Sequence, residues 1–255
     1  MFESILEYVK ILRGNGLYQI LKRAYLTEND KYYRDKAGEA YDKLHDYLQK
    51  NESTLDLFMQ KAKGGWVLRG GLVDKEFKEI LFYFIPSDSK YYAGIGKFNG
   101  KTLIRLPCLL SVDDLRYLAN RLSRKTFVHE YIHYLDELRS NKSSKSSDKV
   151  NDLEAYYNDP REFNAFFQEG ADDLIKFVKA ILREHPGNIE MYEELFPKNM
   201  NEFREKYLSM YFSERFIAHL NPIYKKKFQK RFVMLYQEVQ DMLYPKGKKL
   251  NRFDD

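Results

Sequence analysis

The stretch TFVHEYIHYLDEL (126–138) sets His129 and His133 four residues apart, with Glu130 directly after the first. On an α-helix, residues four apart share a face, with about 5–6 Å between Cβ atoms. Both rings can then direct a nitrogen at one ion. Zinc takes imidazole nitrogen at about 2.0–2.1 Å and prefers four ligands in a tetrahedron. Glu130 is turned about 100° around the same helix. It can lean over the ion without binding it, which is the place of a base that takes a proton from zinc-bound water. Val128, Ile132 and Leu135 give the helix an apolar stripe to bury. Asp136 is expected either to accept a hydrogen bond from the non-ligating nitrogen of one histidine or to stand in solvent near the helix end. By chance the pattern arises in roughly one such chain in a hundred, so coincidence is the weaker explanation.

Two histidines do not complete a zinc site; a third protein ligand is required, with a fourth position open. One solution is a histidine or aspartate six residues beyond the second histidine, reached through a glycine turn. Arg139 stands there and Asp136 occupies the glycine's place, which excludes it. The other solution is a glutamate from a later helix, and Glu154, Glu162 and Glu169 are candidates. Glu162 is preferred. Asp159 can cap a helix that begins at Pro160, which puts Glu162 in the first turn and small Ala165 on a neighbouring face, where another helix can approach. The plainer role for Glu162 is a first-turn carboxylate that only complements the helix dipole.

HEYIH (129–133), followed after an interval by PREFNA (160–165), resembles the zincin metallopeptidases of the glutamate-ligand type, the gluzincins. The wording YYNDPREFNAFF (156–167) is similar to small zincin-like proteins of phage and bacterial genomes. The specific part of the resemblance covers about 126–170. It implies one zinc ion held by His129, His133 and Glu162, with Glu130 as general base. It also implies that the sheet edge before the active-site helix binds substrate as an added strand, which gives a role to the strands 90–96 and 101–107. Several such families carry an aspartate four residues after the ligand glutamate; here that residue is Phe166, which leaves Asp136 or Asn164 to support the site. For the group that steadies the reacting carbonyl oxygen, Tyr157 is the choice over Tyr156, Arg161 and His219.

The elements that must position these residues are expected as an α+β fold: mostly helical, with a small antiparallel or mixed sheet before the active-site helix, in one zincin-like domain over 1–255. Helices are expected in 1–65, at 2–12 and 17–26, then from Thr27, then from Ser53 or Thr54 to Gly64–Gly65. The sheet is expected in 66–107, from the runs 66–73, 79–85, 90–96 and 101–107, with Asn99–Gly100 as a hairpin turn. A helix through 112–123 leads to the active-site helix, and the active-site helices fill 111–183. The Ser/Lys-rich stretch 140–149 reads as a mobile linker. Helical patterns at 189–195, 201–219 and 223–243 fill 184–255, with Pro186, Pro197, Pro222 and Pro245 at the breaks.

Composition limits the alternatives. Hydrophobic residues are 44% and charged residues 32% of the 255, the balance of a globular protein rather than a disordered one. The 21 Tyr and 18 Phe read as core and boundary filling. Cys108, in LPCLL, reads as a small core residue. The net charge of +5 gathers in YKKKFQKRF (224–232) and PKGKKLNRF (245–253). Phe228, Phe232, Leu235 and Val239 fall at helical spacing, so those lysines read as the wet face of a helix rather than a nucleic-acid site. His45 reads as a surface residue and His185 as a helix-end residue. The start MFESILEYVK is too polar for a signal peptide, and ILFYFI (80–85) is too short to span a bilayer. The expectation is a protein made in the cytoplasm, with leaderless release open to it. The expected activity is zinc-dependent hydrolysis of peptide bonds in a peptide or protein substrate. Its competitors are a non-catalytic binding protein on a zincin scaffold and a basic nucleic-acid-binding or virion-associated protein whose motif is accidental.

Overall fold

Residues 15–88, 92–140 and 152–245 are described by the structure, a computed structural model. The expected helix over 2–12, the Ser/Lys-rich stretch after Ser140 and the basic stretch after Pro245 lie outside the described residues. Helix α1 (Asn15–Lys50) runs without the expected break at Thr27. No glycine or proline interrupts 17–37, and a threonine followed by acidic residues is tolerated inside a helix. Tyr33, Ala37, Tyr41, Leu44 and Leu48 form its buried stripe.

The expected helix up to Gly64–Gly65 is a single turn, α2 (Leu55–Phe58), and Thr54 gives it no side-chain cap. The chain then enters strand β1 (Met59–Ala62), turns at Gly64 with φ +87°, and returns as β2 (Gly65–Arg69). The sheet therefore starts at Met59 rather than Trp66. The run expected as a strand over 66–73 ends at Arg69, and α3 (Gly70–Val73) follows as one turn. Then come β3 (Ile80–Pro86), β4 (Gly94–Phe98) and β5 (Lys101–Leu109). Asn99 and Gly100 both have positive φ, 49° and 76°, as the hairpin reading requires. The five strands are ordered β1-β2-β3-β5-β4. The β3–β5 pair is parallel and the other three pairs are antiparallel, so the sheet is mixed. β5 lies inside, and β4 is an edge strand among the described residues.

The helix expected through 112–123 shrinks to α4 (Leu118–Arg121). Asp114 turns its carboxylate onto the Arg116 backbone N–H instead of continuing a helix, and Tyr117 sits in the left-handed region at φ 54°. Helix α5 (Arg124–Ser140) follows and carries HEYIH. A short helix absent from the sequence reading, α6 (Leu153–Tyr157), is capped by Asp152. In α7 (Pro160–Glu184) the Asp159 carboxylate accepts from the Arg161 N–H and proline opens the first turn, as expected. Helices α8 (Ile189–Leu195), α9 (Met200–Tyr211), α10 (Glu214–Ala218) and α11 (Pro222–Leu243) complete the described chain. The pattern over 201–219 is split because Ser213 starts a new helix by capping α10.

Two apolar clusters result. In the first, one face of the sheet (Leu68, Phe82, Phe84, Ile104, Leu106) packs against α1 and against Phe127, Val128, Tyr131, Ile132 and Leu135 of α5. In the second, Phe163, Phe167, Ala171 and Leu174 of α7 meet the aromatic faces of the C-terminal helices, including the expected Phe228, Phe232, Leu235 and Val239. Helix α7 belongs to both, because Ala165 faces the first cluster while Phe163 and Phe167 face the second. Charged pairs tie the layers. Arg124 at the start of α5 holds Asp172 of α7 at 2.6 Å and Asp42 of α1 at 2.6 Å. The three helices meet at Gly38, where a Cβ would stand 2.8 Å from the Arg124 guanidinium. Arg231 of α11 grips Asp30 of α1 with two hydrogen bonds of 2.8 Å and donates to Asn164 of α7. The fold is α+β and mostly helical. Among the described residues, no helix is long and apolar enough to cross a membrane.

Candidate metal centre

The site forms where α5 and α7 pack together. Ala165 is fully buried at this contact, and its small side chain lets the two helices close up. His129 and His133, one turn apart on α5, face Glu162 in the first turn of α7. The His129 Nε2 and His133 Nε2 atoms are 3.2 Å apart. Each lies 3.4 Å from Glu162 Oε2. These three side chains form the one grouping among the described residues whose ligand atoms converge closely enough to hold an ion.

The size of that triangle carries information. Ligands at about 2.0–2.1 Å in tetrahedral array stand about 3.3–3.4 Å apart, whereas an octahedral ion at the same bond length would space adjacent ligands about 2.9 Å apart. The observed 3.2, 3.4 and 3.4 Å leave room for a tetrahedral ion and are also the separations of hydrogen-bonded pairs. The polar bookkeeping agrees: Glu162 Oε2 is buried and has no well-aligned hydrogen-bond partner, though two imidazole nitrogens face it. A cation bound by all three would satisfy it. Two imidazoles and a carboxylate are the donor set zinc accepts.

The electrostatics fit ligands poised around a positive charge. Burial works to lower the His129 pKa, but the carboxylates of Glu162 and Glu169 outweigh it and push it up to about 10. Burial works to raise Glu162, but the two imidazoles outweigh it and hold its carboxyl far below the usual range. Glu130 is buried, and that burial raises its carboxyl against the pull of His129, His133 and, further off, Arg105. A raised carboxylate is better matched to accepting a proton from water near neutral pH.

The supporting groups differ from those the sequence suggested. Glu169, considered only as a ligand, places Oε2 3.3 Å from His129 Nδ1, on the far side of the ring from the triangle. It fixes the tautomer that frees Nε2 for a metal. Asp136 does not touch either histidine: it is engaged by Asn164 at 3.5 Å and by the Tyr33 hydroxyl, whose pKa burial and Asp136 together push up to about 12. Phe166, in the place of the aspartate of several gluzincins, meets the His129 ring edge to face, with centroids 4.5 Å apart. Glu154 is exposed and away from the cluster.

Of the tyrosines, Tyr156 reaches the site. Burial and the nearby Glu162 carboxylate raise its hydroxyl well above the normal range. Tyr157 is buried in an aromatic group with Phe166, Phe216 and His219. Arg161 pairs with the capping Asp159 at 3.6 Å. The His219 ring donates from Nδ1 to the Arg215 carbonyl, 2.7 Å away. His45 is half-buried and stacked on Tyr41 rather than free in solvent, and His185 ends α7 as expected. Cys108 is buried in the first apolar cluster, and burial pushes its thiol up to about 12, which leaves it inert. No protein-family model, curated protein or solved structure matches the chain.

Proposed function

We propose that this chain is a zinc-dependent peptidase of the glutamate-ligand zincin type, with His129, His133 and Glu162 as ligands and Glu130 as general base. The observation that carries the reading is the triangle of two Nε2 atoms and one carboxylate oxygen, 3.2–3.4 Å on a side, with a buried carboxylate on the next residue. A bound zinc ion supplies Lewis acidity toward a carbonyl and toward water. The chain supplies the rest. Glu130 accepts the proton of the attacking water and passes it to the departing amine, a role its raised carboxyl suits. Glu169 holds the His129 ring, and Phe166 packs its face. Tyr156, whose hydroxyl feels the Glu162 carboxylate, is in this reading the residue that meets a substrate oxygen.

The reading also accounts for the edge strand of the sheet. β4 runs beside α5, with Lys97 3.4 Å from Glu137, one turn beyond His133. An extended peptide can add to such an edge through main-chain hydrogen bonds. The test is metal content and hydrolysis together. Protein purified without added metal should hold one zinc per chain, Glu162→Ala should lose most of it, and Glu130→Gln should keep zinc while losing turnover on a diverse peptide pool. Full turnover by Glu130→Gln would remove it as the base. A zinc-loaded wild type that cleaves nothing would favour a binding protein instead.

A further inference from the structure

Arg105 of β5 has no role in the ligand set, yet its placement is unusual. Its backbone is paired with Gly94, the first residue of the edge strand β4. The guanidinium lies across that glycine: a Cβ at position 94 would stand 2.7 Å from one terminal nitrogen and 3.5 Å from the central carbon. Any other residue there would displace it. The side chain is half-buried. Among the described residues it makes no hydrogen bond or ion pair, whereas the neighbouring cation on this hairpin, Lys97, is engaged by Thr102 at 2.7 Å and by Glu137. A half-buried guanidinium without an anion is an unmet demand, and its planar fork matches a carboxylate.

Its position along the strand is also defined. Gly94 to Lys97 covers about 10 Å of strand, and Glu130 to Glu137 covers about 10.5 Å of helix. Lys97 meets Glu137 at one end of that span. Arg105, on the inner strand β5, reaches over Gly94 of the edge strand three residues away, on the sheet face opposite to Lys97. Gly96, next on the same face, carries no side chain, and a Cβ there would meet nothing within 4 Å. In an added strand, alternate side chains fall on this face. One of them comes against the guanidinium.

We propose that Arg105 is a specificity-determining residue that binds a carboxylate of a peptide laid along β4, so that the preferred substrates are acidic on that face. This deepens the peptidase reading and rests on it. The carboxylate can be an aspartate or glutamate side chain or the peptide's own C-terminus.

The experiment uses the full chain, zinc-loaded, as wild type, R105A and R105E. Each is incubated with a proteome-derived peptide library, with free or amidated C-termini, and the cleaved sequences are read by mass spectrometry. The best acidic peptide is resynthesised with glutamine or lysine at the acidic position. Wild type should prefer the acid over glutamine by about tenfold to a hundredfold in kcat/KM. In R105A the ratio should fall to near one, and R105E should prefer lysine. A preference lost on amidation assigns the carboxylate to the C-terminus; one that survives amidation assigns it to a side chain. An acidic preference that persists in R105A and R105E overturns the inference, as does an equal loss of rate on acid and amide peptides. The reversal by R105E guards against a fold defect, since a damaged enzyme does not gain a preference for lysine. Binding of the same labelled peptides to the Glu130→Gln variant, by fluorescence polarisation, separates the two readings. Charge-selective binding without cleavage by wild type keeps the subsite and sinks the peptidase. Cleavage with no charge preference in either assay does the reverse.

Discussion

Replacing Glu169 by alanine removes the acceptor that holds His129 Nδ1 and leaves the three proposed ligands in place. Its effect on metal affinity can be bounded from the structure. Carboxylates that hold a ligand histidine contribute about 10- to 100-fold to metal affinity. The Glu169 Oε2 to Nδ1 distance is 3.3 Å, long for a charge-assisted hydrogen bond, and the Glu169 side chain is 21% exposed, so water can take over part of its work. The lower end applies, about tenfold, or about 1.4 kcal/mol. Glu169→Gln keeps an acceptor oxygen without the charge and should lose less than the alanine. The assay is competition for zinc against a chelating dye, with the cobalt absorption spectrum as a second readout. That spectrum should shift in Glu169→Ala while staying tetrahedral. Two results would refute the reasoning. Unchanged affinity would mean that the carboxylate does not orient the ring, and a loss as large as that of His129→Ala would make Glu169 a ligand.

Three further outcomes follow from the same contacts. Against the pull of burial, the Glu162 and Glu169 carboxylates push the His129 pKa up to about 10, and ligation needs its Nε2 bare, so zinc uptake at neutral pH should release a proton and tighten as pH rises; calorimetry in buffers of different ionisation enthalpy would contradict this by showing no release. Ala165→Leu puts a large side chain into the fully buried α5–α7 contact, which should cost about 1–3 kcal/mol by thermal melt and weaken zinc binding further by parting the ligands; an unchanged zinc affinity would place the contact elsewhere. Arg231→Met leaves Asp30 without its two-bond partner between α1 and α11 and should destabilise by about 3–5 kcal/mol, with part recovered in the Asp30→Asn double variant; a loss under 1 kcal/mol in urea unfolding would deny the pair that role.

What the sequence made legible divides along one physical line. His129, Glu130 and His133 could be placed because helical spacing alone determines which side chains share a face. Glu162 could be placed because Asp159–Pro160 fixes where α7 begins. Partners across a contact between helices could not, since periodicity tells which face a residue is on but not what comes to meet it. Asp136 has the right spacing from both histidines, yet Tyr33 and Asn164, far off in sequence, engage it. Glu169 did leave a signal. Seven residues return within about 20° of the starting point on a helix, so Glu162 and Glu169 lie on one face two turns apart, and an imidazole crossing between them can meet a carboxylate at each end. The sheet follows the same division. The β4–β5 hairpin was readable from Asn99–Gly100, a local turn. β1 was not, because Met59 is its one fully buried side chain in four residues. Nor was the parallel β3–β5 pairing, which arises only because the hairpin folds back with β5 inward. That inward placement leaves β4 at the edge beside α5. The proposed substrate edge and the candidate metal centre are thus joined by the least local feature of the fold, and a change that reverses the hairpin's order would uncouple them without touching His129, His133 or Glu162.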